Sequence, residues 1–435
     1  MSSRVSRRKA LQRGAALAAG GTAFAQQSGA QGQQPGPRVT NTAGRKFRAL
    51  VRYRNGVAIE ELRLLPIQPR DVLIRTQASI ACYSLTPFAL NTNNYPQPII
   101  LNHSGMGMVE EVGSQVKRVQ PGDRVIVAGT PECGQCYQCL QGRPDWCAFL
   151  AEVDLHAIAE TADGTKVQPM SGLGGVSEQM VVAEEYCCPV FTDLPAAELA
   201  LLADAGGTGL AAVHNLVAVE PGWDVVVMGA GPVGLSAIQG ARIRGAAQII
   251  AVEPIKARRE VALKVGATMA LDPNAEGANL VAKIRDLCKP RTLRKFSGGA
   301  ALRGGVGPDF VIEAVGGDQF KPKVEAGPDP TGILPIRQCW EMARMGGHIV
   351  THGIGQKGEV GFPAAFFCIS GKTFHAGQQG GLHMMRDLPR YVKLIEKGLF
   401  DAKAIASNTY TLDQAKQAFQ DVADRTIVGA AIVFA

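Results

Sequence analysis

A chain of 435 residues, 46% apolar and 19% charged, has the composition of a globular protein large enough for two domains, which excludes a disordered or fibrous one. Its formal charge of +7 misleads: Arg4, Arg7, Arg8, Lys9 and Arg13 supply five positive charges near the N-terminus, and removing them leaves +2, which gives no ground for nucleic-acid binding. No run reaches about 18 consecutive apolar residues, so no stable membrane anchor is expected in the mature chain.

The N-terminus reads MSSRVSRRKALQRGAALAAGGTAFAQQ. The pair Arg7-Arg8, a weakly apolar stretch from Ala15 and a final Ala-Phe-Ala come in the order of a twin-arginine export signal, residues 1–25. That signal predicts a periplasmic or secreted protein, delivered already folded by the twin-arginine export machinery. The route suits a chain that acquires a metal or cofactor inside the cell. Residues 26–44 are low in complexity and read as a disordered linker.

Further on, TPECGQCYQCLQGRPDWC holds Cys133, Cys136, Cys139 and Cys147 in the spacing C-x2-C-x2-C-x7-C. Short spacings let turns present several thiolates to one point. Four thiolates make a closed tetrahedral site, which suits a structural zinc. An iron–sulfur cluster or a pair of disulfides uses the same residue type. Folding in the reducing cytosol weighs against disulfides.

From Trp223 the chain reads WDVVVMGAGPVGLSAIQGARIRGAAQIIAVEP. This is strand, glycine turn, helix and second strand, with G-x-G-x-x-G at Gly229, Gly231 and Gly234. The first glycine permits a tight turn, the second lets the backbone approach a diphosphate, and the third lets helix and strand pack. Glu253 ends the second strand, where an acid takes the adenosine ribose hydroxyls and repels a 2′-phosphate, favouring NAD. Arg258 is close enough to accept that phosphate instead. The α/β alternation continues to HIVTHGIG, as expected of a doubly wound parallel sheet. The basic, glycine-rich stretch 289–305 reads as a surface insertion, with a phosphate patch as the alternative.

Ahead of the cysteine lobe lies ASIACYSLTPFALNTNNYPQPIILNHSGMGMVEEVGSQVKRVQPGDRVIV. The pieces GMGMVEEVG and VQPGDRV, then the lobe, then the dinucleotide unit, resemble the zinc-dependent medium-chain alcohol dehydrogenase/reductase family. The resemblance runs from about Arg48 to the C-terminus. It implies a mixed fold, α/β plus β: a GroES-like catalytic domain (45–203) interrupted by a Rossmann NAD-binding domain (204–378), with 379–435 returning to the catalytic domain. It also implies a homodimer or homotetramer.

Carried over by position, the resemblance implies a catalytic zinc held by Cys82, His103 and Asp204, and hence two zinc ions per chain. Without it, Cys82 reads as a buried thiol and His103 as a core histidine. The implied chemistry is hydride transfer between an alcohol, or an aldehyde or ketone, and NAD(H), zinc polarising the substrate oxygen. Ser84 matches the residue that accepts the alcohol proton. Thr208 matches a nicotinamide contact, and equally reads as a helix-capping threonine. Four positions depart from the family pattern. Ser104 replaces a glutamate, Pro87 stands near where many members place a proton-relay histidine, and Tyr83 and Gly429 stand where coenzyme-binding arginines are common. The competing expectation is a dinucleotide-binding sensor or scaffold of the same fold that has lost turnover. A quinone-reductase-like branch lacks the cysteine lobe, so Cys133 to Cys147 speak against it. Export adds one expectation: with little free NAD outside the cytoplasm, the coenzyme stays bound.

Overall fold

A computed structural model describes residues 42–90, 92, 95, 97–153, 155–289 and 305–435. The expected signal, most of the linker and residues 290–304 of the basic insertion lie outside the described residues. The last three residues of the expected linker meet the folded chain, with Thr42 buried, Ala43 half-buried and Gly44 exposed. Thr42 is buried and donates its hydroxyl to Glu111 Oε2 at 2.5 Å, and Gly44 N donates to Leu64 O at 2.8 Å.

Ten strands come first: β1 (Lys46–Tyr53), β2 (Gly56–Leu64), β3 (Asp71–Ile80), β4 (Ile99–Ile100), β5 (Gly105–Val112), β6 (Arg124–Val127), β7 (Ala159–Glu160), β8 (Lys166–Pro169), β9 (Gln179–Ala183) and β10 (Cys187–Pro189). Helices α1 (Ala196–Leu202) and α2 (Ala205–Ala211) follow. The alternating unit then runs β11 (Asp224–Met228), α3 (Pro232–Ile243), β12 (Gln248–Val252), α4 (Lys256–Val265), β13 (Met269–Leu271), α5 (Leu280–Leu287), β14 (Phe310–Glu313), α6 (Ile333–Met342), β15 (His348–Thr351) and β16 (Thr373–His375). Helix α7 (Met384–Glu396), β17 (Asn408–Tyr410), α8 (Ala415–Asp424) and β18 (Ala430–Val433) close the chain.

Three sheets result. Strands β1-β2-β7-β8-β4 close a barrel; β10-β6-β5-β3-β18-β17 form a second sheet with β9 on β3; β13-β12-β11-β14-β15-β16 form the third. Every pairing in the third sheet is parallel, and its strands are apolar runs such as DVVVM, as burial on both faces requires. The chain builds outward from β11 to β13, then restarts at β14 on the other side. The β11/β14 seam is therefore the topological switch point, where ligands bind beyond the strand ends. The closing strand β18 lies between β17 and β3, with Ala431 opposite Ile80. This is an α/β Rossmann-type sheet joined to a GroES-like β domain.

Two features aim the chain at its cleft. Register shifts in β3, at Leu73/Ile74 and Thr76/Ala78, bend the strand before Cys82. Gly107 permits the close approach there, since a Cβ would lie 2.2 Å from Arg75 O. At the glycine turn, Gly229 has φ 92°, and a Cβ on Gly234 would sit 1.9 Å from Gly229 O. Gly234→Ala is expected to force helix α3 off its strand. Overpacking of this kind costs about 1–3 kcal/mol, and a lowered thermal midpoint followed by circular dichroism checks it.

Candidate active site

The loop leaving β3 carries Cys82 and Ser84, and the turn after β4 carries His103. Asn102, at φ 86°, holds that turn in left-handed backbone. Its amide donates to Ser79 Oγ at 2.5 Å and Ile80 O at 2.8 Å, while its Oδ1 accepts from His103 N at 2.9 Å. Ser79 Oγ donates in turn to Ser104 O at 2.8 Å. The imidazole is thus aimed by a buried network tied to the end of β3. Asp204 arrives from the opposite side, at the N-cap of α2 but without bonding the helix N–H groups. Gln379 fixes it from behind, donating to Ala203 O at 3.0 Å and accepting from Thr130 N at 3.1 Å.

The ligand atoms of Cys82, His103 and Asp204 all lie within 4.8 Å of one another. Ser84 Oγ lies 3.1 Å from Cys82 Sγ and 3.4 Å from His103 Nε2. Burial pushes the Cys82 thiol pKa up, and the Asp204 carboxylate adds to that, against a smaller opposing pull from Ser84. Asp204 Oδ2 is buried with no hydrogen-bond partner. A soft thiol, an imidazole and an orphaned carboxylate oxygen at this spacing fit a zinc ion with one position left open. Ser104, where the family pattern has a glutamate, puts no carboxylate here; its Oγ is buried and unpartnered.

The four-cysteine lobe forms a second donor set. Cys133, Cys136, Cys139 and Cys147 also lie within 4.8 Å of one another, with Cys133–Cys139 at 4.0 Å and Cys136–Cys147 at 3.9 Å. Those separations exclude disulfides, whose S–S bond is about 2.05 Å, and all ten cysteines are free. They match a single tetrahedral zinc, for which Zn–S of about 2.3 Å implies sulfur edges of roughly 3.8 Å. A multi-iron cluster with bridging sulfides needs a wider cage. Backbone N–H groups of Cys133, Cys136, Cys139 and Ala148 point at the sulfurs at 3.4–3.5 Å. The N–H of Cys139 leads in holding the Cys136 thiol down at about 6.

From Cys82 and Asp204 a cleft runs past Gly229 and Gly231 to Glu253 and Pro273, along the C-terminal ends of the parallel strands. Gly231 faces open space: the nearest atom to a Cβ there would be Arg258 Nη1, at 3.9 Å. Glu253 is buried in the wall. Its oxygens accept from Ala230 N at 2.7 Å and Ile255 N at 3.0 Å, so the acid also stiffens the glycine turn. Thr208 is not brought into the cleft wall. Its hydroxyl donates back to Asp204 O, at the N-cap of α2, at 2.9 Å.

Three contributors were missed by sequence reasoning. Glu313, fully buried at the end of β14, accepts from Val315 N at 2.7 Å, Gly316 N at 2.8 Å, Thr351 Oγ1 at 2.6 Å and Gly353 N at 3.2 Å. It ties together the loops after β14 and β15. His352 and Arg425 line the same cleft. None of the three stands in a motif, and only the fold reveals them.

A family model described as an alcohol dehydrogenase GroES-like domain matches residues 68–192, and one described as a zinc-binding dehydrogenase matches 232–327. The chain belongs to the zinc-dependent medium-chain alcohol dehydrogenase family. It is 29% identical over 388 residues to an S-(hydroxymethyl)glutathione dehydrogenase of Escherichia coli O1:K1, covering 86% of this chain and 96% of that one. Two solved structures share the fold at 24% identity, each covered over 99% of its length and covering 90% of this chain. One is an alcohol dehydrogenase zinc-binding domain protein of Burkholderia ambifaria (TM-score 0.75), the other a benzyl alcohol dehydrogenase of Acinetobacter calcoaceticus (TM-score 0.74). The protein is accordingly a zinc-dependent, alcohol dehydrogenase-like oxidoreductase. Zinc and NAD(H) are the cofactors the family implies in general.

Burial holds His352 and His214 at about 4, below the usual histidine value of 6.5. Both are neutral in the native state, and the unfolded chain takes up their protons first as pH falls. Stability is therefore expected to drop between about pH 6.5 and pH 4, by on the order of 2 kcal/mol per histidine. Denaturant melts at pH 7 and pH 4.5 check this, and the drop should be smaller in His352→Leu.

Proposed function

We propose that the protein is exported folded with two zinc ions per chain and oxidises an alcohol, or reduces an aldehyde or ketone, with NAD(H) as coenzyme. The observation that carries this reading is a continuous cleft. One end is the Cys82–His103–Asp204 triangle, and the other is a glycine turn at the switch point of a parallel sheet. When bound, zinc supplies Lewis acidity toward the substrate oxygen, and NAD supplies the hydride acceptor. The protein's own part is positioning and proton transfer. Ser84 Oγ, beside Cys82 Sγ and His103 Nε2, is placed to take the alcohol proton. Pro87, buried in the next turn, offers that proton no onward relay, so it leaves through the cleft.

The chain's likeness to an S-(hydroxymethyl)glutathione dehydrogenase and a benzyl alcohol dehydrogenase supports primary alcohols and aldehyde adducts as the substrate class. Glu253 supports NAD over NADP, since an acid at the end of the second strand of the dinucleotide unit disfavours a 2′-phosphate nearby. Coenzyme retention is supported by the way residues 318–329 lie along the cleft. Gln319 N donates to Tyr83 Oη at 3.0 Å, and Lys323 pairs with Asp424 at 2.8 Å, so this segment is strapped to the catalytic domain. The absence of a carboxylate at Ser104 favours the second reading, a dinucleotide-binding sensor without turnover.

Purified protein assayed against an alcohol panel separates the two readings. Elemental analysis is expected to find two zinc ions per chain. Cys82→Ala should lower that to one and abolish turnover, while Cys136→Ala should cost solubility, because structural zinc supplies folding free energy. Two zinc ions with no turnover on any alcohol or aldehyde would establish the sensor. Glu253→Gln, which keeps the size and removes the charge, is expected to narrow the preference for NAD. Protein isolated from the periplasm and then denatured should release close to one NAD(H) per chain; far less, with activity wholly dependent on added NAD, contradicts retention.

A further inference from the structure

Two cations share one wall of the cleft. Arg425, in left-handed backbone (φ 61°) just past α8, turns its guanidinium back over the ring of Tyr83, 5.2 Å from the centroid. Its Nη2 donates to Tyr83 Oη at 3.2 Å and pairs with Asp318. Arg258, on α4, donates Nη2 to Ile427 O at 2.8 Å. Its Nε is buried with no partner, and its Nη1 stands next to Gly231. Gly231 is the N-cap of α3, a 12-residue helix whose first N–H groups open on the same space.

A buried guanidinium donor without an acceptor is costly, and the planar, forked guanidinium groups of two arginines beside a helix N-terminus are suited to bidentate pairing with phosphate oxygens. We propose that Arg258 and Arg425 clamp the diphosphate of the dinucleotide, with the N-terminus of α3 supplying the main-chain donors. The proposal rests on the reading that a dinucleotide occupies this cleft. It supplies the cations missing at Tyr83 and Gly429. The ring of Tyr83 now lies under Arg425 instead of carrying a charge itself, and a Cβ at residue 429 would sit 2.7 Å from Ile405 O, which leaves no room for a side chain without a shift. The position of Arg258 Nη1 against Gly231 assigns it to the bridging diphosphate. A 2′-phosphate would stand farther out, beyond Glu253, whose own oxygens are turned to Ala230 and Ile255.

Because Tyr83 lies between Cys82 and Ser84, the clamp and the substrate end share one loop. Asp318 competes with the diphosphate for Arg425, which gives the clamp a resting partner.

The test is calorimetric titration of the full-length mature protein with ADP-ribose, NADH and NADPH. Arg425→Gln is expected to weaken ADP-ribose and NADH by about tenfold or more, the loss of one charge-assisted contact, and to flatten the dependence on salt. Arg258→Lys, which keeps the charge but not the fork, should weaken both by a smaller factor. Asp318→Asn separates clamping from mere support: with its competitor gone, Arg425 should bind ADP-ribose as tightly as before or more tightly. ADP-ribose binding unchanged in Arg425→Gln, or equally weakened in Asp318→Asn, overturns the clamp. Selective loss of NADPH in Arg258→Lys assigns that arginine to the 2′-phosphate and overturns its share. If the unaltered protein binds none of the three ligands, the dinucleotide reading itself fails, and the clamp with it.

Discussion

The cleft depends on one buried carboxylate. Glu313 ends β14 at the switch point of the parallel sheet, and it collects three backbone N–H groups from the loops after β14 and β15 and the hydroxyl of Thr351 at the end of β15. Loops beyond parallel strands have no ladder to hold them, and their N–H groups must find partners or stay in water. Glu313 meets that need without a single water-facing atom. A charge fully removed from solvent is tolerable because several donors converge on it. With those loops fixed, Ala314, His352 and Ile354 become a firm wall, opposite the catalytic domain's Cys82 loop.

Much of this was legible in the sequence, and the rest was not, for physical reasons. The glycine turn was readable because its constraints are local. Gly229 needs positive φ and Gly234 needs no Cβ, and both facts follow from a strand and a helix meeting within six residues. The cysteine lobe was readable for the same reason, since its four thiolates fall within one loop. The triangle of Cys82, His103 and Asp204 was not readable from spacing, because β3, the turn after β4 and α2 come together only in the tertiary fold; resemblance alone brought those positions forward. Thr208 could be read two ways because a helix turns each residue by about 100°, and one step of phase decides whether a hydroxyl meets ligand or backbone. Arg425 was invisible because its direction depends on left-handed backbone at a helix end.

The two domains meet through Tyr83. It follows Cys82 directly, receives Gln319 N and Arg425 Nη2 on its hydroxyl, and offers its ring to the guanidinium. A cation over an aromatic face, with its charge also met by Asp318, is held in a narrow range of positions. The segment that carries Asp318 and Gln319 has no regular structure of its own, and contacts with Tyr83, Arg425 and Asp424 set its course. A motion that drew this segment away from Tyr83 would break these bonds together, and so would be coupled to the loop that bears Cys82 and Ser84.

The charges along the cleft are arranged by sign. At one end stand the donors of a cation site, a thiol and a carboxylate; in the middle stand two arginines and a helix N-terminus. Among the buried polar atoms without a partner are Asp204 Oδ2 at the cation end and Arg258 Nε beside the helix N-terminus. Such atoms cost about 1–3 kcal/mol each in a folded chain, and a sequence selected for stability alone would have satisfied them internally. They are of opposite sign and lie along one groove, so neither can relieve the other without collapsing the space between. A metal ion at the first and a diphosphate at the second would satisfy both. The stability forgone in the protein alone is then regained on binding, which is the physical condition for a site that holds its cofactors firmly.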